Sequence, residues 1–387
     1  MTRRKLATVG VDTGGTFTDA VYDGPDGRRT AKVPSTPSAP AEGFLAALDA
    51  AGAREARVRH GTTVGTNAVL TRGGARVVFV TTEGFQDLPW IGRGTRDDLH
   101  ALQPARTAPL VVASVGVRER TGPDGRVEAG LGDEEVHRVV RSVAAKRPSA
   151  VAVCLLHAVR RPAHERGLVR ALRGIGVPVF ASSAASADPR EVERGATTVL
   201  DAYVAPVMRD YLAEVARGLP RAVRSALTIM RSDGGRMAVR EVNAGPVRTL
   251  LSGPAAGVAA TEDLVRRHGV ARALSFDVGG TSTDVAWIED GEAPVRAALR
   301  VGSHEASVPS VGIETVGAGG GSLVGLDTGG ALRVGPKSAG AQPGPACYGN
   351  DGPFALTDAW LLQGRIPDAL LDGDFPLDPA AAERRAK

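Results

Sequence analysis

Several common protein classes are excluded by what this sequence has little of. It holds two cysteines, Cys154 and Cys347, in 387 residues. That pair cannot build a disulfide framework, which rules out a small stapled scaffold and suits a reducing compartment. Aromatic residues are sparse, at four Tyr, three Trp and eight Phe. The core must therefore be mostly Val, Leu and Ala, and few rings are left to stack on nucleic-acid bases. The net charge is +4 and the pI about 9.3, yet no run of five or more like charges occurs. The Arg residues are dispersed among Asp and Glu, so no basic patch marks a nucleic-acid partner. Long apolar runs are missing too. "MTRRKLATVGVDTGG" meets Asp12 after only a few apolar residues, short of the run of about 7–15 that a signal peptide needs. Nothing approaches the roughly 20 residues of a membrane span. The expected location is cytoplasmic, with no membrane partner.

The rest is ordinary for a soluble globular chain: 43% hydrophobic and 23% charged residues, with length enough for two domains. Three strands are predicted at 6–11, 18–23 and 28–33, then a helix at 40–51 stopped by Gly52. "ARVVFVTT", 75–82, reads as a buried strand. Helix and strand then alternate from 133 to 180, the pattern of a mixed sheet with helices over it. A long helical stretch near 191–214 looks like a bridge, with a break or kink expected at Pro206. The second half begins the plan again, with strands at 227–230, 247–251, 273–278 and 283–288 and a helix at 254–267. From Ser303 on, Gly, Ser and Pro crowd the chain, which implies long ordered loops with short strands.

The pattern D-x-G-G-T-x-T-D occurs twice, in "VGVDTGGTFTDAV" (9–21) and "LSFDVGGTSTDVA" (274–286). Each copy lies between two predicted strands. A Gly pair lets the backbone turn tightly and approach another group, and successive amides in such a turn form an anion-binding nest. Thr13, Gly14, Gly15, Thr16, Thr18 and Asp19 in one copy, and Gly279, Gly280, Thr281, Thr283 and Asp284 in the other, are the candidate phosphate-binding residues. Asp12 and Asp277 end the leading strands, where a carboxylate can hold hydrated Mg²⁺ or orient a nucleophile; they are the candidate catalytic and metal residues. A single copy would read equally well as a hairpin satisfying its own turn. Two copies in one context favour a pair of phosphate grips. No Walker P-loop occurs, and the glycines lead into strands, unlike a dinucleotide fingerprint.

Other blocks also carry chemistry. "HGTTVGTNAVL" puts His60, Thr62, Thr63 and Asn67 at a helix start, where free N–H groups favour anions. "SGPAAG" (252–257) is a second such start. Gly319 and Gly320 in "GAGGGS" would let backbone touch a nucleotide. Arg93 and Arg96 in "IGRGTR" suit a substrate carboxylate or carbonyl. His157 and Cys154 read as structural, whereas Cys347, in the loop "GPACYG", is open to a nucleophilic role.

The two hairpins resemble the phosphate loops of the actin, Hsp70 and sugar-kinase ATPases. With "RHGTTVGTNAVLTRGGARVVFVTTEGFQDL", "RSDGGRM", "LLSGPAAGV" and "RVGPKSAGAQPGPACYG", the chain resembles the hydantoinase A/5-oxoprolinase/acetone carboxylase β-subunit group from Val9 to about Asp378. The resemblance implies an α/β fold of two ribonuclease-H-like (actin-like ATPase) lobes, each a mixed five-stranded sheet flanked by helices. The expected division is 1–185 for the first lobe, 186–215 for a connecting helix and 216–387 for the second. It also implies ATP and Mg²⁺ as cofactors, phosphorylation of a cyclic amide or a carbonyl or bicarbonate substrate, and a hydantoinase-B-like partner subunit or a homo-oligomer. Thr62, Thr63, Asn67, Arg93 and Arg96 would face the substrate. Two departures stand out. Gly94 and His100 replace the Gln and Tyr usual after "TTEGF", beside an unusual Pro89-Trp90. The segment that holds adenosine in the superfamily has no counterpart after Asp378, so the second lobe is expected to be cut short. A non-catalytic regulatory or scaffold subunit with a degenerate nucleotide site is the alternative reading.

Overall fold

The computed structural model describes residues 7–95, 100, 102, 108–340 and 342–387. Arg96 lies outside the described residues. The first three strands, β1 (Thr8–Thr13), β2 (Phe17–Gly24) and β3 (Gly27–Pro34), form the expected meander. Helix α1 (Pro40–Ala50) returns the chain across it. Strand β4 (Arg57–Thr62) then adds parallel to β1. Alternation drives this packing: Val9, Val11 and Val58 turn inward against Phe44 and Leu48 of α1.

Helix α2 (Val64–Leu70) leads to a second sheet of four parallel strands. Its members are β5 (Val77–Thr82), β6 (Ala113–Val117), β7 (Ala150–Cys154) and β8 (Val179–Ala181), in the order β8-β7-β5-β6. Strand β5 is buried on both faces, which explains its unbroken apolar run. Val78 and Val80 meet α3 (Asp133–Ala145) and α4 (Ala163–Leu172) through Val139, Val143, Leu168 and Leu172. Val77 and Phe79 face the long α5 (Glu191–Gly218) on the other side. Helix α5 runs unbroken through Pro206. One helical hydrogen bond is lost there, but buried side chains on both sides, from Leu200 to Met208 and Leu212, keep the helix from breaking.

Strands β9 (Thr228–Met230) and β10 (Arg236–Ala238) extend the first sheet, giving six strands in the order β10-β9-β4-β1-β2-β3. The stretch 247–251, expected as a strand, is a 3₁₀ turn at Pro246–Thr249. It leads into α6 (Ser252–His268). Beyond it, β11 (Arg272–Val278), β12 (Thr283–Glu289) and β13 (Ile313–Val316) form an antiparallel sheet. Ala286 and Ile288 pack on Ala255 and Val258 of α6. The architecture is the mixed α/β arrangement expected, with helices flanking several sheets, but the three largest hold six mixed, four parallel and three antiparallel strands and not five each. Among the described residues no helix is long and apolar enough to cross a membrane.

The two hairpins differ in their surroundings. β1 is paired on both edges, whereas among the described residues β11 pairs with β12 alone. Leu274, Phe276, Val278 and Trp287 share the face of this sheet away from α6, and are 58%, 67%, 45% and 44% exposed. A contiguous apolar face of this kind favours association. The isolated chain should therefore self-associate with rising concentration, and Phe276→Glu should weaken that association several-fold. Light scattering over a concentration series checks this; a wild type that stays monomeric throughout contradicts it.

Candidate phosphate-binding cleft

Both copies of the repeated motif fold into the same turn. Asp12 pairs across its hairpin with Asp19 and Thr13 with Thr18, just as Asp277 pairs with Asp284 and Val278 with Thr283. Gly14 N–H donates to the Phe17 carbonyl at 3.1 Å, and Gly279 N–H to the Ser282 carbonyl at 2.9 Å. The next amides, of Gly15, Thr16, Gly280 and Thr281, donate to no described residue. They are the donors a nest offers to an anion. The two turns face each other: a Cβ on Gly280 would come 2.9 Å from Thr16 Oγ1.

Each turn is braced from behind, and the bracing uses residues expected at the phosphate. Ser35 Oγ donates to the Gly14 carbonyl and lies 2.9 Å from Thr18 Oγ1, while Ser35 N–H donates to the Thr16 carbonyl. Thr283 Oγ1 donates to the Ala318 carbonyl at 2.6 Å. Thr18 and Thr283 are buried, so their hydroxyls stitch the turns and are not free donors. Gly319 and Gly320 also depart from expectation. Gly320 N–H donates to the Gly279 carbonyl, and Gly319 N–H to Ser322 Oγ. A Cβ on Gly319 would lie 2.6 Å from the Gly279 carbonyl oxygen. Backbone-to-backbone packing of the Gly-rich loop on the second turn explains its composition.

Asp12 is open to the cleft yet closely walled by protein. A Cβ on Gly61 or on Gly253 would come 2.9 or 2.8 Å from its Oδ1. Strand β4 and α6 are locked at this height, because Ser252 Oγ accepts from Thr62 N–H and donates to the Thr62 carbonyl. Burial, then Asp19 and Asp277, push the Asp12 carboxyl up to about 6, against the pull of Lys32. Asp284 is raised by burial and by Asp277, and accepts from Thr315 Oγ1. Asp19 is paired with Lys32 at 2.6 Å. Asp12 and Asp284, each raised by an acidic neighbour, are poised to gain from a cation. Among the described residues no group of three or more His, Cys, Asp or Glu is arranged as a metal cage. A pair of carboxylates beside amides with no described acceptor would suit Mg²⁺, which keeps most of its waters.

Beside the first turn lies a cavity of about 610 Å³, lined by Thr13, Gly14, Gly15, Thr63, Asn67 and Tyr211, with the acids Asp210 and Glu214 at its α5 side. Thr63 and Asn67 thus join the first hairpin as expected. Thr62 is buried beneath, in the lock with Ser252. Arg93 is elsewhere: it forms an ion pair with Glu193 of α5, and its neighbour Gly92 borders a different, apolar cavity. Cys347 is fully buried, and burial and Asp358 push its thiol up, which removes it as a nucleophile. Cys154 is core, its thiol pushed up to about 12 by burial. His157 sits 3.9 Å from Glu191. Gly61, Gly253, Ser35 and Lys32 are the site residues missed in the sequence; the glycines of "HGTT" and "SGPAAG" were the only signal.

His60 is not at the anion. It is fully buried, its Nδ1–H donating to the Val11 carbonyl and its Nε2 accepting from Tyr211 O–H. Burial lowers its pKa from 6.5 to about 4. Between those values the unfolded chain takes a proton that the fold refuses, so stability falls as pH drops, by up to about 3 kcal/mol. Asp201, raised from 3.8 to about 7 by burial, has the opposite sense: it gains stability over the same fall. The informative quantity is thus the stability of wild type minus that of His60→Gln, by denaturant titration at pH 7 and 4. It should shrink by about 3 kcal/mol; an unchanged difference would mean His60 is not held neutral.

Two family models match the chain. The hydantoinase/oxoprolinase N-terminal region matches residues 8–176 and hydantoinase/oxoprolinase matches residues 194–387. Caprolactamase subunit alpha of Pseudomonas jessenii is 32% identical over 97% of this chain. 5-Oxoprolinase of Saccharomyces cerevisiae is 32% identical over 92%. The chain spans 57% and 32% of those two relatives' own lengths. A solved nucleotide-free structure of acetone carboxylase superposes with a TM-score of 0.84 at 26% identity, covering 98% of this chain and 58% of that one. The chain belongs to the hydantoinase/oxoprolinase family.

Proposed function

We propose that the chain is the ATP-binding component of an enzyme that activates a small cyclic amide by phosphorylation before ring opening. The observation that carries this reading is the pair of equivalent turns facing each other, with unused amides and an acid at the end of each leading strand. The amides of Gly15 and Thr16 on one side, and of Gly280 and Thr281 on the other, would flank the phosphate chain of ATP. Asp12 and Asp277 would hold hydrated Mg²⁺, which neutralises phosphate charge when bound. The cavity beside Gly14 and Gly15 would seat the substrate, with Thr63 and Asn67 orienting its amide. Transfer of the γ-phosphoryl group to the amide oxygen releases ADP. Water then adds at that carbon and the C–N bond opens, leaving an amine and an acyl phosphate; a second water hydrolyses the acyl phosphate to carboxylate and free phosphate.

The likeness to 5-oxoprolinase and to a caprolactamase subunit supports the amide class. The acetone carboxylase superposition supports a second reading, phosphorylation of a carbonyl or of bicarbonate on the same clamp. A relative named as a subunit also supports a partner chain of the hydantoinase-B kind. In this reading 1–185 and 216–387 are two lobes joined by 186–215, with residues 228–238 lent to the first sheet.

The test is Mg²⁺-dependent ATP hydrolysis, with and without co-purifying chains, in the presence of 5-oxoproline, hydantoin, caprolactam, or acetone with bicarbonate. Stimulation by a lactam is expected; stimulation by acetone with bicarbonate alone would favour the second reading. Asp12→Asn and Asp277→Asn should each cost about a hundredfold or more in turnover. Gly253→Ala is the sharper variant. Its Cβ displaces the Asp12 carboxylate, a short movable group, so the fold should survive while turnover falls at least about tenfold. Wild-type turnover in all three variants would refute the assignment of the cleft.

A further inference from the structure

The motif "RSDGGRM" (231–237) takes no part in the phosphate cleft, yet it builds one wall of a separate cavity. Asp233 Oδ1 accepts from Gly235 N–H at 3.0 Å, closing a tight turn between β9 and β10 with Gly234 at a φ of +78°. This turn sets Arg231 and Arg236 beside the cavity, and Arg248 enters from the 3₁₀ turn. Asp201 of α5 and Glu241 complete the polar lining. The volume is about 330 Å³, at the small end of the range of about 300–1,000 Å³ for ligand sites. No residue lining it lines the cavity beside the first hairpin.

Two buried atoms of residues in this lining have no partner among the described residues. Asp201 is 1% exposed, and its Oδ1 accepts from Val247 N–H at 2.9 Å, but Oδ2 accepts from no described residue. Arg231 uses an Nη2 on Asp233 and leaves its buried Nε without an acceptor. Glu241 is already committed to Ala238 N–H. A buried carboxylate oxygen and a buried guanidinium N–H left unpaired are each costly, so the cavity lacks both a cation or donor at one point and an anion at another. Burial pushes the Asp201 carboxyl up to about 7, even with Arg248 nearby, as expected of an acid with no counter-ion in contact. A plain anion would satisfy the arginines and face Asp201. A plain amine would do the reverse. A ligand carrying both charges a few bonds apart answers both vacant positions.

We propose that this cavity is a second small-molecule site, which binds a free α-amino acid as its zwitterion, the ammonium on Asp201 and the carboxylate on Arg231 with Arg236 and Arg248. Asp201 and the acids of the main cavity, Asp210 and Glu214, lie on one helix. The site is nevertheless built without the hairpins, so occupancy requires no nucleotide.

Calorimetry on the purified chain without nucleotide tests this, with glycine, L-alanine and L-glutamate as probes and N-acetyl-L-alanine, L-alaninamide and inorganic phosphate as controls. At least one zwitterion should bind with one-to-one stoichiometry, and blocking either charged end should weaken binding at least about tenfold. Asp201→Asn and Arg231→Gln should each cause a loss of the same size. Arg231 is partly exposed, so that variant should keep its melting temperature and decides the matter if Asp201→Asn does not fold. The proposal is overturned if no probe binds at millimolar concentration, which would leave water as the occupant. It is equally overturned if a blocked analogue or phosphate binds as well as the best zwitterion, or if the folded variants bind unchanged. Since the readout is binding without ATP, failure of the amide-activation reading would leave it standing, and the converse also holds.

Discussion

Close approach at Asp12 governs this molecule. Its carboxylate stands between Gly61 of β4 and Gly253 of α6, at distances that leave no room for a Cβ on either. To bring those glycines so near, β4 must pair with β1 and the start of α6 must dock on the end of β4. The reciprocal hydrogen bonds of Ser252 with the Thr62 backbone do the docking. Leu251 adopts a left-handed conformation, φ 57°, to start the helix there. The same docking carries β11 and β12, which pack on α6, towards the first hairpin. The facing of the two turns therefore follows from one tight contact near the middle of the fold.

The two halves of the clamp are alike in covalent pattern and unlike in support. The first turn is braced by Ser35, backed by β4 and α6, and continuous with a core that includes α1 and α5. The second turn is braced by the Gly-rich loop, and Asp277 through Thr281 are exposed. Few buried apolar contacts and exposed backbone mean low local stability. In the proposed clamp the first half would thus be the fixed jaw, and adjustment to a phosphate chain would cost least in the second.

Much of this was legible in the sequence because it depends on local pattern. The repeated motif specified both hairpins, with strand ends within two residues of those observed, since a Gly pair between two alternating strands has few other solutions. The parallel sheet showed through the buried run at 75–82. What depends on distant pairing was not legible. Residues 57–62 carry polar side chains that suggest no strand, yet His60 and Thr62 are buried because β1 and α6 cover them. Residues 228–238 were read as opening the second half, and nothing local says that they pair with β4 instead. Pro206 predicts a break or kink; the helix does not break there, because tertiary packing on both sides outweighs one missing hydrogen bond. Threonines and glycines near an anion site look alike in sequence whether they touch the ligand or hold the loop that does; Thr18, Thr283, Gly319 and Gly320 fall in the second group.

The same ambiguity shapes the reading of the charged groups. Arg93 and Arg231 are both arginines in Gly-punctuated turns, and sequence pattern alone favours Arg93 for a ligand. In the fold, Arg93 has found a carboxylate on α5 and is about half exposed, so little is gained by exchanging that partner for another. Arg231 is more buried, and its Nε is left without one. An unmet buried donor is the stronger pointer to a ligand, because desolvation has already been incurred and only a partner can offset it. Polar groups of α5 then face two cavities: Asp210 and Glu214 line the larger one beside the first hairpin, and Asp201, with its unmet oxygen, lines the one where the helix meets the turn of "RSDGGRM". Helix α5 is then more than a bridge between sheets, since each cavity takes part of its polar lining from it.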